Sequence, residues 1–167
     1  MNTYKITLLA FLAAIAIVGR NLFVFIPGFQ PATVIIMIAG LMLGSIAAVI
    51  LALLITILSN LTLGMGMWAI AQIISWGLIG LLSGLLGRYF KKIPIYILVI
   101  LSIIAGYFYG FVISLMTYQV TGHFWPYYVM GLSHDTNHAI GNGIFMALLY
   151  PVIAYLIKRY ASNYFHQ

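Results

Sequence analysis

The chain has 167 residues, of which 65% are hydrophobic and 5% are charged, and its mean hydropathy is +1.16. Soluble domains carry about 25% charged residues, so this composition excludes a water-soluble globular domain. Seven Lys and Arg residues stand against one acid, Asp135, which gives a net charge of +6. Because the basic residues form no stripe with interleaved aromatics, they indicate orientation in a membrane rather than nucleic-acid binding. The absence of cysteine excludes disulfides, thiolate metal sites and thiol catalysis.

Long apolar stretches follow one another along the chain. A membrane-spanning helix needs about 20 apolar residues, and the stretches of about that length or more are Ile6–Phe25, Ala32–Leu63, Trp68–Gly87, Pro94–Gln119 and Thr136–Ile157. The second stretch is long for one span and short for two. Lys5 with Ala14-Ile15-Ala16 also resembles a signal peptide and its cleavage site, but the apolar stretch continues to Phe25, which favours a retained helix.

The positions of the basic residues resolve the ambiguous second stretch. Lys and Arg near helix ends collect on the cytoplasmic side of a membrane. If residues 32–63 cross twice and turn near Gly44 and Ser45, one side receives Lys5, Arg88, Lys91, Lys92, Lys158 and Arg159. Helices two and three then have roughly 11 to 17 residues each, too few to span a core of about 30 Å comfortably. The sequence therefore predicts an all-α integral membrane bundle of six helices, with short helices two and three and both termini cytoplasmic.

On this topology, residues 1–167 form a single membrane-embedded substrate-binding domain, and most of the loop residues that could contact a ligand lie outside. The predicted outer connections are residues 26–31, 62–67 and 121–135, which are rich in glycine and aromatic residues. The predicted inner connections are the turn at Gly44 and the basic link from Arg88 to Lys92. This asymmetry is more typical of a binding site open to one side than of a symmetric channel.

Two charged residues lie near the predicted outer side. Arg20 is about one turn from the end of helix one, where it reaches the headgroups, pairs with Asp135 or faces a ligand. Asp135 precedes the helix-six stretch, where it caps that helix, bonds to Arg20 or contacts a ligand. As the one acid of the chain, it excludes hydrolysis by paired carboxylates and disfavours a proton or sodium symporter.

An enzymatic alternative rests on the segment from His134 to His138. Its pattern, H-D-x-x-H, is related to the zinc signature H-E-x-x-H, in which two histidines four residues apart share one helix face. A catalytic zinc also needs a third protein ligand and a carboxylate base, and the remaining nearby donor is His123. Polar lining or capping is the competing interpretation of these histidines.

Amides and aromatic rings also concentrate in the predicted outer half. The amides are Gln30, Asn60, Gln72, Asn137 and Asn142, which either bond between helices or share a cavity. The aromatic residues are Trp68, Trp76, Trp125, Tyr127 and Tyr128, which either form an interfacial belt or cover a pocket. Small residues mark close helix packing, at Ala10, Ala13, Ala14, Ala16 and Gly19 in helix one and at Gly77, Gly80, Gly84 and Gly87 in helix four.

With these features the chain resembles the substrate-binding S component of an energy-coupling factor (ECF) transporter. The resemblance covers the whole chain, and Ala10-x-x-x-Ala14 matches the alanine motif through which such components contact a transmembrane coupling subunit. Within the family, three segments are similar to the cobalamin-type branch: Arg20 with Phe23 and Ile26-Pro27, residues 64–68 with Gln72 and Trp76, and residues 138–142.

The resemblance implies uptake of a vitamin, with cobalamin favoured and queuosine precursors, pyrimidines or other vitamins as alternatives. The substrate-binding residues it implies are Arg20, Trp68, Gln72, Trp125, Asp135, Asn137, His138 and Asn142. It implies a multi-pass protein of a prokaryotic cell membrane that catalyses no reaction and needs no cofactor or metal. The chain has no G-x-x-x-x-G-K-[ST] phosphate loop, so two separate ATPase subunits would use the ATP through the coupling subunit.

Overall fold

The structure, a computed structural model, describes residues 3–90 and 92–160, and this part of the chain contains helices and no strands. The six helices are α1 (Thr3–Leu22), α2 (Ala32–Leu43), α3 (Ser45–Leu63), α4 (Trp68–Tyr89), α5 (Ile95–Thr121) and α6 (Phe124–Tyr160). All except α2 are long and apolar enough to cross a membrane. The predicted all-α bundle of six membrane helices is confirmed.

The short helix α2 is the centre of the bundle. Its 12 residues are apolar on nearly every side, and residues 31–40 are all buried. A helix that is hydrophobic all round belongs in a protein interior, and α2 accordingly contacts each of the other five helices. At 1.5 Å per residue α2 is only about 18 Å long, which is too short to span a bilayer core of about 30 Å. The prediction of a short second helix is confirmed.

The third helix is longer than predicted. It has 19 residues rather than the expected 11 to 17, because the turn between α2 and α3 takes the single residue Gly44. Gly44 has φ +91°, a left-handed conformation that glycine adopts without steric cost. The turn is at the predicted position, and the rest of the apolar stretch, residues 45–63, forms α3.

The predicted loop over residues 121–135 is wrong. Gly122, with φ +71°, and His123 alone separate α5 from α6, which begins at Phe124. Pro126 lies in the first turn of α6, where a helix tolerates proline because that N–H has no intrahelical partner. Asp135 is therefore in the middle of a helix, and the prediction that it caps the start of helix six is also wrong.

The two ends of the bundle differ in charge. One end, called here the basic end, carries Lys5, Arg88, Lys92, Lys158 and Arg159. The opposite end, called the mouth end, contains the ends of α1, α3 and α5 and the starts of α4 and α6. Lys91, which the sequence also places at the basic end, lies outside the described residues. This separation is what the positive-inside rule requires if the basic end is cytoplasmic.

Cysteine labelling tests this orientation. The chain contains no cysteine, so Met65→Cys and Thr121→Cys at the mouth end and Lys92→Cys at the basic end each introduce one exposed thiol. We expect an impermeant maleimide to label the first two in intact cells and the third only after permeabilisation. Labelling of Lys92→Cys alone in intact cells would reverse the orientation.

Glycines on α4 allow close packing against α2 and α3. A Cβ on Gly84 would overlap the backbone of Ser45, and one on Gly87 would overlap Leu41. A Cβ on Gly77, on the same helix, would meet nothing within 4 Å. The predicted small-residue packing on helix four therefore holds at Gly80, Gly84 and Gly87 but not at Gly77.

This contrast supplies a matched pair of variants. We expect Gly84→Ala to lower the free energy of unfolding by about 1–3 kcal/mol, because the two backbones must separate. Gly77→Ala meets open space and should stabilise the helix by up to about 1 kcal/mol. Thermal unfolding of the detergent-purified proteins measures both, and equal effects at the two positions would contradict the packing.

Candidate functional site

Two adjoining cavities open at the mouth end. The larger, called the helix cavity, has a volume of about 410 Å³, and its wall includes Trp68, Tyr127 and Asp135. The smaller, called the loop cavity, has a volume of about 230 Å³ and lies between the connection from α1 to α2 and residues that include Arg20 and Gln72. Tyr109 and His134 line both cavities, so the two adjoin each other at these side chains.

Arg20 is held in the last turn of α1, where it is 8% exposed. Its Nε donates a hydrogen bond to Gln30 Oε1 at 2.7 Å, and its Nη1 donates to Ser59 Oγ. The guanidinium carbon lies 4.9 Å from the centre of the Trp76 ring. These partners are all neutral. The predicted pairing of Arg20 with Asp135 is not formed, since the described residues give Asp135 no contact with Lys or Arg within 4.0 Å.

A chain of neutral hydrogen bonds links α3, α4 and α5 beneath the cavities. Asn60 Nδ2 donates to Gln72 Oε1 at 2.8 Å, and Gln72 Nε2 donates to the Tyr109 hydroxyl at 3.0 Å. All three side chains are buried. Because an amide both donates and accepts, Gln72 fixes the position of the Tyr109 ring that separates the two cavities.

His138 joins α6 to α2 and to the connection between α1 and α2. Its Nδ1 is 2.6 Å from the Gly28 carbonyl oxygen, which can only accept, so Nδ1 carries the proton. Its Nε2 then accepts from Thr33 Oγ1 at 2.9 Å, and Thr33 in turn accepts from Trp76 Nε1 at 2.8 Å. The ring of His138 also packs 5.0 Å from that of Tyr109. His138 therefore holds together the elements that form the wall of the site.

Asp135 is 4% exposed and faces the helix cavity. Its carboxylate fits against α5 only because residue 110 is glycine, since a Cβ there would overlap the carboxyl group. The nearest charged or chargeable partner is His134, whose Nδ1 lies 3.6 Å from Asp135 Oδ1. The imidazole of His134 is partly exposed at the junction of the two cavities.

The structure brings together five of the eight substrate-binding residues predicted from the sequence. Arg20, Trp68, Gln72 and Asp135 line the cavities, and His138 supports their wall. The contribution of the five to ligand binding stays a prediction.

The other three predicted residues lie away from the cavities. Trp125 is 70% exposed and packs against Phe124 in an aromatic cluster at the start of α6. Asn137 is exposed. Asn142 is buried, and its Nδ2 donates to the Ser102 carbonyl oxygen at 3.1 Å. A contact of these residues with ligand stays a prediction that the cavity walls do not support.

Sequence reasoning missed two important residues of the site. Tyr109 lines both cavities, but it is one of 12 tyrosines in an apolar sequence and nothing local distinguishes it. Thr33 is the second residue of α2, an otherwise apolar helix, and only the fold brings it to His138. The neighbouring Gly110 was a usable signal, since a glycine inside a long helix often permits a close approach.

The donors for a zinc site do not converge. Both ring nitrogens of His138 already have hydrogen-bond partners within the chain. Within residues 3–90 and 92–160, no group of three or more His, Asp or Glu side chains is arranged to hold a metal ion. The zinc-hydrolase alternative built on His134 and His138 therefore has no structural support.

Ala10 and Ala14 lie on the outer surface of α1. Both are exposed, whereas Leu9, Ala13 and Ala16 face the core. The alanine motif thus presents a thin, accessible strip on the side of the helix that faces away from the rest of the bundle.

Comparison with known proteins places this architecture in a family. No curated protein and no solved structure gives a significant match to the chain. Residues 4–158, nearly the whole of the described structure, match the family described as the substrate-specific component of ECF transporters. A multi-pass helical bundle with two adjoining cavities at one end is consistent with a transport role. The chain therefore belongs to the substrate-specific components of ECF transporters.

Proposed function

We propose that this chain captures one small water-soluble organic molecule in the adjoining cavities at the mouth end. The observation that carries the proposal is the pair of adjoining cavities, of about 410 and 230 Å³, lined by buried polar groups. Pockets for small organic ligands have volumes of about 300–1,000 Å³ and combine apolar walls with a few fixed polar groups. Since the family implies an ECF module as partner, the captured molecule would pass to that module.

The walls favour a ligand with a flat ring. Trp68, Tyr109 and Tyr127 border the helix cavity and offer aromatic faces, while Gln72 and Asp135 offer hydrogen-bonding groups. Cobalamin remains our named candidate from the resemblance of the sequence. A corrinoid is larger than these cavities, so part of it would lie outside them, beside the exposed ring of Trp68. A queuosine precursor or a pyrimidine would fit within the cavities entirely.

The coupling contact is the second part of the proposal. Ala10 and Ala14 form the strip on which the coupling subunit would pack, because small side chains let two helices approach closely in a membrane. Two ATPase subunits would drive transport, and this chain would contribute binding and specificity.

Calorimetric titration of the purified protein tests the capture of a ligand. Cobalamin, a queuosine precursor and a pyrimidine are titrated separately, and native mass spectrometry searches for a retained molecule. We expect saturable binding of one compound at one per chain. Gln72→Ala should weaken that binding by roughly 5-fold to over 100-fold, because it leaves a polar edge unpaired.

Lys158→Ala at the basic end is the control and should leave the affinity unchanged. Binding of another compound in place of cobalamin would exclude the corrinoid and keep the proposed function. No saturable binding and no retained molecule would contradict the capture itself.

A further inference from the structure

The two buried charges of the site lack partners of opposite charge. Arg20 is 8% exposed and Asp135 is 4% exposed. The partners of Arg20 are the neutral side chains of Gln30, Ser59 and Trp76. Asp135 has only His134 at 3.6 Å, an imidazole that bears a full charge only when protonated. Within the described residues, the site therefore holds one buried cation and one buried anion that do not neutralise each other.

Such an arrangement is costly inside a membrane protein. Burying a charge without a counter-ion carries a large desolvation penalty, and intramembrane ionisable residues usually pair with one another or mark a functional pathway. Here the chain keeps the two charges apart although the cavities that they border adjoin each other. Asp135 faces the helix cavity, and Arg20 lines the loop cavity. The separation is explained if the missing counter-charges arrive together on one molecule.

The surroundings of Asp135 and Arg20 differ, and this difference determines which end of the ligand each residue would contact. Trp68, Tyr109 and Tyr127 share the helix cavity with Asp135, and the faces of aromatic rings attract cations. The guanidinium of Arg20 offers several N–H donors in a fixed fork, which matches carboxylate and phosphate oxygens. Gln30 accepts from Nε and Ser59 accepts from Nη1, so three of the five N–H donors have no hydrogen-bond partner within the described residues.

We propose that the ligand is dipolar, with a cationic or N–H-rich group at Asp135 and an anionic or carbonyl-rich group at Arg20. This inference rests on the proposed function, because it describes the substrate class of the same cavities. The flat aromatic walls beside Asp135 point to a nitrogen heterocycle or an amidine-like group as the positive part. The negative part is a carboxylate, a phosphate or a strongly polar carbonyl.

Three probes of the same shape test the charge preference without knowledge of the natural ligand. Benzamidinium is a flat cation, benzoate a flat anion and benzamide the neutral counterpart. We expect dissociation constants of about 1 mM for such small probes. Each probe is added at about ten times that concentration, at constant ionic strength, and the thermal unfolding midpoint is measured. We expect benzamidinium and benzoate each to raise the midpoint of the wild-type protein by about 3 °C and benzamide to raise it less.

Two substitutions assign each ion to its residue. Asp135→Asn should abolish the shift by benzamidinium and keep that by benzoate, while Arg20→Gln should do the reverse. Arg20→Lys keeps the positive charge and should retain part of the benzoate shift, which separates loss of charge from loss of structure. Equal shifts by all three probes, no shift by either ion, or shifts that survive the matching substitution would overturn the inference.

The same variants separate this inference from the proposed function. If the compound captured by the wild-type protein binds Asp135→Asn and Arg20→Gln with unchanged affinity, the cavities capture a ligand but do not recognise it by its charges. If the wild-type protein captures no compound, the proposed function itself is wrong. A loss of at least tenfold in affinity in each variant, with Lys158→Gln unchanged, would support the dipolar ligand.

Discussion

The double substitution Ala10→Leu with Ala14→Leu is expected to abolish uptake, with a fall of about 100-fold or more, while the isolated protein still binds its ligand. Both alanines lie on the exposed face of α1, and the added side chains would hold a partner helix away. The core of the bundle is unaffected because Leu9 and Ala13, which face it, are unchanged. Transport in cells that carry the ECF module and titration of the purified protein measure the two effects separately.

An alanine elsewhere on the lipid-facing surface provides the matched control. Ala147 is exposed on α6, so Ala147→Leu adds the same bulk and hydrophobicity without altering the strip on α1. We expect uptake by this variant to equal that of the wild type. If the α1 double variant lost ligand binding in proportion to uptake, the two alanines would support the bundle rather than contact a partner, and the coupling proposal would fail.

The number of helices could be predicted because Lys and Arg near helix ends collect on the cytoplasmic side of a membrane. The basic residues at Lys5 and Arg88 can lie on one side only if residues 32–63 cross twice, and Gly44 supplied the turn. The start of helix six could not be predicted in this way. Polar and aromatic residues around Pro126 are typical of a loop, yet proline in a first turn is compatible with a helix, and nothing after it breaks the helix.

That error explains which site residues were misplaced. Once residues 124–160 form one helix, its periodicity of 3.6 residues decides what each side chain faces. Asp135 and His138 are three residues apart and share the inward face, whereas Asn137 points elsewhere and is exposed. A segment interpreted as a loop has no such periodicity, so its sequence does not distinguish the polar residues that face a ligand from those that do not. Contacts such as that of Thr33 with His138 depend on tertiary packing and leave no local pattern.

Replacing His138 with alanine is expected to lower the free energy of unfolding by about 2–5 kcal/mol. The change leaves the Gly28 carbonyl and the Thr33 hydroxyl without their partner and opens a space beside Tyr109. For a chain of this size the thermal midpoint should fall by roughly 5–15 °C. Ligand affinity should also fall by at least about tenfold, because the connection that lines the loop cavity is no longer tied to α6.

Asn137→Ala provides the comparison, since Asn137 is the preceding residue of the same helix and was predicted from the sequence to bind ligand equally. Its side chain is exposed, so its loss should change the free energy of unfolding by no more than about 0.5 kcal/mol and leave the affinity as it is. His138→Asn can still donate to the Gly28 carbonyl and should recover part of the affinity if that bond positions the loop cavity. Recovery of affinity by His138→Gln instead would assign the main role to the hydrogen bond with Thr33. A loss of affinity in Asn137→Ala equal to that in His138→Ala would mean that the ligand contacts a different face of α6.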